Sequence, residues 1–316
     1  MTSPVVFSLP MRVRFRGIDV REGMLLKGDA GWGEFSPFWD YGPHECRPWL
    51  AAAREAADVG WPEPVRSAVP VNVTVPAVGP ERATEIVRAS SGCRTAKVKV
   101  AEPGQTEADD LARVEAVRSA LGPSGRVRVD ANGAWDVDTA VRMIHTLDHW
   151  DLEYVEQPCA SVEELAAVRR AVDVPVAADE SIRRAEDPLR VARLAAADVA
   201  VLKVQPLGGV RACLRIAEAI GLPVVVSSAL ETSVGLAAGV ALAAALPELP
   251  YACGLATMQL LDGDVTSAAF RVVDGSLPVR RPEPDLLVSA RAGDEVAARW
   301  RSRLRDVEDA GDGQSR

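Results

Sequence analysis

From Val69 onward the chain alternates short apolar runs with stretches of helical period, and the apolar runs end in titratable side chains. Lys97-Val98-Lys99 comes first. Arg126-Val127-Arg128-Val129 then runs into Asp130, and Leu152-Glu153-Tyr154-Val155 into Glu156. Val174-Pro175-Val176-Ala177-Ala178 runs into Asp179, and Val201-Leu202 into Lys203. The steps from Lys99 through Asp130, Glu156 and Asp179 to Lys203 are 31, 26, 23 and 24 residues. Each is the length of one strand plus one crossover helix. A titratable residue at the C-terminal end of each successive strand is where parallel α/β barrels carry their chemistry.

Strands are expected near 69–75, 96–100, 126–130, 153–156, 174–178, 199–203, 223–227 and 251–254, which makes eight. Helical patterns fill the gaps, most clearly over 106–121, 136–149, 161–172, 187–197, 210–220 and 233–245. Thr106 followed by acidic residues, and Ser161 followed by Glu163 and Glu164, are good helix starts. This alternation predicts an α/β fold, a (β/α) barrel of the TIM type over 69–261 carrying the active site. The first 68 residues read differently. Strand-like Val5–Phe15 and Gly23–Lys27 precede Gly31-Trp32-Gly33-Glu34, with a helix over 49–59. They are expected to form an α+β segment outside the barrel. The stretch 266–279 looks extended and is expected to return and pair with the eighth strand. The Asp/Gly/Ser-rich end, 307–316, is expected to be disordered.

Bulk properties narrow the function. The chain is 316 residues long, long enough for a large core and a smaller appendage, and its hydrophobic fraction of 48% is that of an ordinary globular protein. A net charge of −9, a pI near 5.1 and dispersed basic residues argue against nucleic acid as a partner. No apolar run approaches the roughly 20 residues of a bilayer span. Arg12, Arg14 and Arg16 precede any long apolar region, unlike a secretory leader. Cys46, Cys93, Cys159, Cys213 and Cys253 show no CxxC spacing and read as small buried thiols in a reducing compartment. A cytoplasmic enzyme with a small-molecule substrate, no membrane contact and no evident obligate protein partner fits these properties.

Of the 36 basic residues only Lys27, Lys97, Lys99 and Lys203 are lysine. Arginine stays charged, whereas a desolvated lysine can lose its proton and act as a base. Asp130, Glu156 and Asp179 are expected to converge as three hard oxygen ligands, which suits Mg²⁺. Lys97 and Lys99 leave the same strand face. Each lowers the other's pKa, while the neighbouring carboxylates oppose that shift. Lys203 comes four strands after Lys99. A base, a metal and a second lysine fit abstraction of a proton next to a carboxylate. His44, His145 and His149 fall away from the strand ends, and Leu207-Gly208-Gly209 reads as a βα turn rather than a phosphate loop.

Five segments carry a family resemblance: Lys97-Val98-Lys99, Asp130-Ala131-Asn132-Gly133-Ala134-Trp135, Glu156-Gln157-Pro158, Ala178-Asp179-Glu180-Ser181 and Lys203-Val204-Gln205. They resemble the muconate-lactonizing subgroup of the enolase superfamily, which uses a Lys or His base with Mg²⁺. The resemblance covers essentially the whole chain and implies that 1–68, completed by part of 262–300, is an α+β capping domain over a modified barrel. Gly31–Glu34 with Ser36-Pro37-Phe38 is similar to the second capping loop, and the segment around Arg16–Glu22 to the mobile first loop. Ser227-Ser228-Ala229-Leu230-Glu231-Thr232-Ser233-Val234-Gly235 is similar to the seventh-strand segment of o-succinylbenzoate synthases. Where dipeptide epimerases carry Asp-x-Asp, this chain reads Ala252-Cys253-Gly254, which argues against that activity. The implied reaction dehydrates 2-succinyl-6-hydroxy-2,4-cyclohexadiene-1-carboxylate to o-succinylbenzoate, a step toward menaquinone. Lys99 would take the proton and then assist hydroxide departure, Lys203 would stabilise the intermediate, Lys97 completes the catalytic set, and Ser227, Ser228 and Gly254 would meet the succinyl arm. N-acylamino acid racemases share the lysines and ligands and are the alternative.

Overall fold

The computed structural model describes residues 3–185 and 187–312. The chain opens with an antiparallel meander, β1 (Val5–Phe15), β2 (Ile18–Gly28) and β3 (Gly31–Phe35). Arg16 and Gly17 both take positive φ, 50° and 75°, as a two-residue hairpin turn requires. The segment around Arg16–Glu22, expected as a loop, is therefore strand from Ile18 onward. Helix α1 (Pro43–Arg54) follows. It starts six residues before the expected 49, because Pro43 sits at its first position and the Glu45 carboxylate accepts the Gly42 N–H at 3.0 Å. One π-helical turn, Glu55–Val59, ends it. A Cβ on Gly33 would lie 1.9 Å from the Ala53 carbonyl oxygen, so β3 and α1 pack backbone to backbone.

The expected strand 69–75 is two elements. β4 (Ala68–Pro70) leaves the barrel, and only β5 (Val73–Val75) joins the parallel sheet. Then come α2 (Pro80–Arg88), β6 (Thr95–Lys99), α3 (Glu107–Leu121), β7 (Arg126–Asp130) and α4 (Val137–Leu147). β8 (Leu152–Glu156), α5 (Val162–Ala171), β9 (Val176–Ala178) and the single turns α6 (Glu180–Arg183) and α7 (Arg190–Arg193) follow. β10 (Val199–Leu202), α8 (Val210–Ile220), β11 (Val224–Val226) and α9 (Ser233–Ala245) complete the alternation. Strands β5 to β11 lie side by side in chain order. Thr106 and Ser161 make the anticipated capping boxes with Asp109 and Glu164.

Three expectations are corrected. The eighth strand is reduced to two bridges, Cys253 to Val71 and Gly254 to Ser227, which still link β11 back toward β5. The helix expected over 187–197 shrinks to α7, because Ala195 turns left-handed at φ 47° and ends it. The returning segment, β12 (Ser276–Pro278), pairs antiparallel with β4 and not with the eighth strand. The end of the chain also differs: α10 (Asp294–Asp312) covers most of the presumed tail. Trp300, Arg303 and Val307 recur on one face and are buried, which anchors it. Residues 313–316 lie outside the described residues.

Two main apolar clusters hold the parts together. One lies between the parallel strands and their helices. The other joins Phe7, Met24, Leu25, Phe35, Trp49 and Trp300 to Ala229, Leu230 and Val234 of the barrel. The N-terminal sheet and the loop after β11 thus share one core. All of α9 except its last residue is buried, in keeping with a helix apolar on every side.

Candidate active site

Register places the chemistry. Lys99, Asp130 and Glu156 are direct neighbours across β6, β7 and β8. Glu156 is level with Ala177, so Asp179 stands two residues further along, just past β9. Lys203 follows the end of β10. The stagger keeps every one of these side chains on one face, as barrel shear does. The backbone then turns sharply outward: Asn132 and Gln157 take φ of 48° and 41°. The Gln157 amide braces the next strand end, accepting the Asp179 N–H at 3.0 Å and donating to Ser181 Oγ at 2.7 Å.

Lys97, Lys99, Asp130, Glu156, Asp179 and Lys203 are all buried. Lys99 Nζ donates to Asp130 Oδ2 at 2.6 Å and also bonds the Asn132 side-chain oxygen. Lys97 Nζ reaches Glu156 Oε1 at 2.8 Å and Asp130 Oδ2 at 3.3 Å. Lys203 Nζ donates to Asp179 Oδ2 at 2.7 Å, and Arg183 Nε to Asp179 Oδ1 at 2.9 Å. Arg183 also holds Glu180 and the Tyr41 hydroxyl. Sequence reasoning passed over Arg183, although its place four residues after Asp179 on a helical turn was a usable signal.

Burial opposes charge on Lys97, yet Glu156 and Asp130 outweigh it and hold its pKa above the ordinary lysine value. The expected mutual lowering by Lys99 is thus overridden at Lys97. Lys203 goes the other way: burial lowers its pKa, and Asp179 does not fully restore it. Burial raises Asp130 and Asp179, but Lys99 and Lys97 around the first, and Arg183 and Lys203 around the second, hold both below the usual carboxylate range. Glu156 is pushed above that range by burial against the pull of Lys97, with Asp130 and Asp179 adding to the rise. One ammonium serves two carboxylates there, and Glu156 is the one left short of positive charge.

That shortfall bears on the expected Mg²⁺. Glu156 Oε2 is buried without a hydrogen-bond partner, and Asp130, Glu156 and Asp179 offer only hard oxygens. The donors fit a hard dication in kind. Among the described residues, no three His, Cys, Asp or Glu side chains are gathered as a ready cage. The lysine ammoniums take one oxygen of each carboxylate instead, so binding an ion through those oxygens means exchanging these contacts for it.

Ser227, Ser228, Gly254, Lys97, Lys99, Asp130 and Lys203 line one cavity, with Thr74, Thr257 and Asn132. Phe15, Arg16 and Phe38 of the N-terminal unit close its mouth, Lys99 Nζ lying 5.6 Å from the Phe15 ring centre. The Ser228 hydroxyl is engaged within its own loop and with Thr257. It donates to Glu231 at 2.6 Å and accepts from Thr257 at 2.8 Å and from the Leu230 N–H at 2.7 Å. A Cβ on Gly254 would come within 2.7 Å of Ser227 Oγ, so glycine there leaves room for that hydroxyl. Thr257 carried no signal in the sequence. The cavity holds about 40 Å³.

An enolase C-terminal domain-like model matches residues 81–285, and an enolase N-terminal domain-like model matches residues 6–57. The o-succinylbenzoate synthase of Thermobifida fusca is 71% identical over 94% of this chain and 93% of its own length. That of Mycolicibacterium smegmatis is 57% identical over 93% and 91%. Among solved structures, muconate lactonizing enzyme from Pseudomonas putida superposes with a TM-score of 0.75 at 20% identity, over 92% of this chain and 98% of that one. N-succinyl Arg/Lys racemase from Bacillus cereus gives 0.77 at 20%, over 92% and 97%. At such identities the structures speak for the fold alone.

Proposed function

The chain belongs to the enolase superfamily, and from that premise we propose that it is a Mg²⁺-dependent o-succinylbenzoate synthase, a hydro-lyase acting toward menaquinone. Its substrate would be 2-succinyl-6-hydroxy-2,4-cyclohexadiene-1-carboxylate. The observation that carries the reading is that two buried lysines, Lys99 on β6 and Lys203 just past β10, line one cavity from strands four apart. Near-full-length relation to o-succinylbenzoate synthases supplies the substrate.

Asp130, Glu156 and Asp179 would hold the ion. Bound there, Mg²⁺ supplies positive charge that stabilises the substrate carboxylate as its neighbouring carbon loses a proton. With Lys99 as the free amine, Lys97, Lys203 and Arg183 set three positive charges against Asp130, Glu156, Asp179 and Glu180, so a dication leaves one excess positive charge, as an anionic substrate needs. Lys99 Nζ, as the free amine, removes the proton from the carbon next to the ring carboxylate, giving an enediolate. The Lys203 ammonium faces this planar intermediate and stabilises it. The C–O bond then breaks, its electron pair leaves with the hydroxyl oxygen, and Lys99 returns the proton to form water. Aromaticity of the product drives the step. Phe15 and Arg16 cover the cavity from the side of the N-terminal unit.

Lysines reaching one cavity from two strands also serve two-sided proton exchange, which favours N-acylamino acid racemase as the second reading. Dehydration needs proton transfer from one side only. The test assays both reactions on one Mg²⁺-loaded preparation. The expected result is the higher kcat/KM for the cyclohexadiene carboxylate, with weak racemisation. A higher value for an N-acyl amino acid moves the assignment to the racemase.

A further inference from the structure

Arg21 has no place in the chemistry above, yet it is the most thoroughly engaged side chain of the N-terminal sheet. It lies on β2 with 2% exposure. Burying a guanidinium is costly unless its donors are met. Here they are met mainly by backbone carbonyls of two different loops. Nε donates to Leu230 O at 2.7 Å and Nη2 to Ala229 O at 3.3 Å. Nη2 also donates to Ser36 Oγ at 2.9 Å and to Ser36 O, and Nη1 to Glu22 O at 3.1 Å. Its plane stacks 4.5 Å from the centre of the Phe38 ring.

The far ends of these bonds are walls of the pocket. Ala229, Leu230 and Phe38 all line the cavity. Leu230 is held at φ 66°, a left-handed conformation that is unfavourable for a non-glycine residue. Such a residue persists only where its surroundings over-determine it. The carbonyl that this turn aims at the N-terminal sheet is the one Arg21 Nε takes. On the other flank, the Ser36 N–H donates to Gln205 Oε1 at 3.2 Å, two residues beyond Lys203. Ser36 Oγ donates to Glu34 at 2.6 Å, and Glu34 accepts the Thr232 N–H and Gly235 N–H at 3.1 Å each. Burial lowers the Arg21 pKa to about 10 against the pull of Glu34, so it stays charged at neutral pH.

We propose that Arg21 is a positioning residue that sets the selectivity of the pocket for the substrate's acyl arm, by clamping the Ala229–Leu230 wall from behind. The proposal rests on the o-succinylbenzoate synthase reading for the identity of that arm. Arg21 touches neither the reacting carbon nor the lysines, so its loss acts on how the arm is gripped, not on proton transfer.

The experiment uses the full chain with Mg²⁺ and the variants Arg21→Met and Arg21→Lys. In Arg21→Met, KM for the succinyl substrate is expected to rise at least tenfold while kcat stays within threefold. The preference for a succinyl arm over a shorter acyl arm is expected to shrink by a similar factor. Arg21→Lys keeps charge but not the fork and is expected to fall between. Equal loss in kcat for both arms, or an unchanged arm preference, overturns the proposal. Should Arg21→Met fold poorly, Ser36→Ala, which leaves the Leu230 bond, gives a milder change in the same direction. Amide hydrogen exchange without substrate separates this idea from the functional reading. Faster exchange confined to 229–232, with β10 unchanged, supports the clamp even if no dehydration is found. Unaltered exchange there refutes it even if dehydration is efficient.

Discussion

At the residue scale, what decides each lysine's role is how many negative charges it faces. Lys97 is shared between Glu156 and Asp130 and is held protonated, which suits it to fixed charge compensation. Lys99 bonds Asp130 and the Asn132 amide oxygen, and a ligand competing for Asp130 would release it. We therefore expect Lys99→Arg to be as inactive as Lys99→Ala, because arginine keeps the charge but cannot give up its proton. Steady-state assays should show a loss of at least about 10²–10⁴-fold. Near-native turnover in the Arg variant would mean that Lys99 supplies charge only. Glu156 is the carboxylate short of a partner, so Glu156→Gln should weaken Mg²⁺ uptake, measured calorimetrically, and nearly abolish turnover without a change in circular dichroism. Turnover that survives a chelator would remove the metal from the account.

At the scale of elements, the helices are started by local signals and oriented by remote ones. Ser161 and Glu164 bond each other's backbone N–H at 3.2 and 3.0 Å, a closed local device at the start of α5. Ser161→Ala should lower stability by about 1 kcal/mol and leave kcat untouched, as read from urea unfolding and the dehydration assay. Gly33→Ala is a harsher change, since the new Cβ meets backbone and not a flexible side chain. It should lower the unfolding temperature more than Ser161→Ala does, and the reverse order would show that β3 and α1 can slide apart. The barrel helices α8 and α9 are started by carboxylates of the N-terminal unit. Glu55 accepts the Val210 N–H at 2.5 Å and the Arg211 N–H at 3.1 Å, while Glu34 accepts from Thr232 and Gly235. Two acids from one unit thus meet the positive ends of two successive helices of the other.

At the scale of the whole molecule, this docking carries a pH dependence. Burial pushes the Glu34 carboxyl up from 4.5 to about 7, against Arg21, Ser36 and Thr232, with Glu231 adding to the rise. The folded form therefore binds this proton more tightly than the unfolded form. Its contribution to stability is complete below about 4.5 and is lost as pH rises through about 7. Other buried acids also titrate, so the comparison that isolates Glu34 is wild type against Glu34→Gln. The unfolding temperature of wild type minus that of the variant should fall from pH 5 to pH 8. A difference constant with pH would mean that Glu34 is ionised throughout.

The sequence by itself determined where the strand ends fall, and with them the positions of Lys99, Asp130, Glu156, Asp179 and Lys203. That information is local: an alternating apolar run, a crossover of one helix, and a polar residue where the run stops. Capping residues such as Thr106 and Ser161 were legible for the same reason. Tertiary structure alone decided that 69–75 divides between two sheets and that 276–278 pairs with 68–70. It also decided the sign of the Lys97 shift, the tying up of the Ser228 hydroxyl, and the bond from Arg21 to Leu230 across 209 residues of chain. Each of these turns on burial and on partners brought together only by folding, and neither leaves a mark at short range in the sequence.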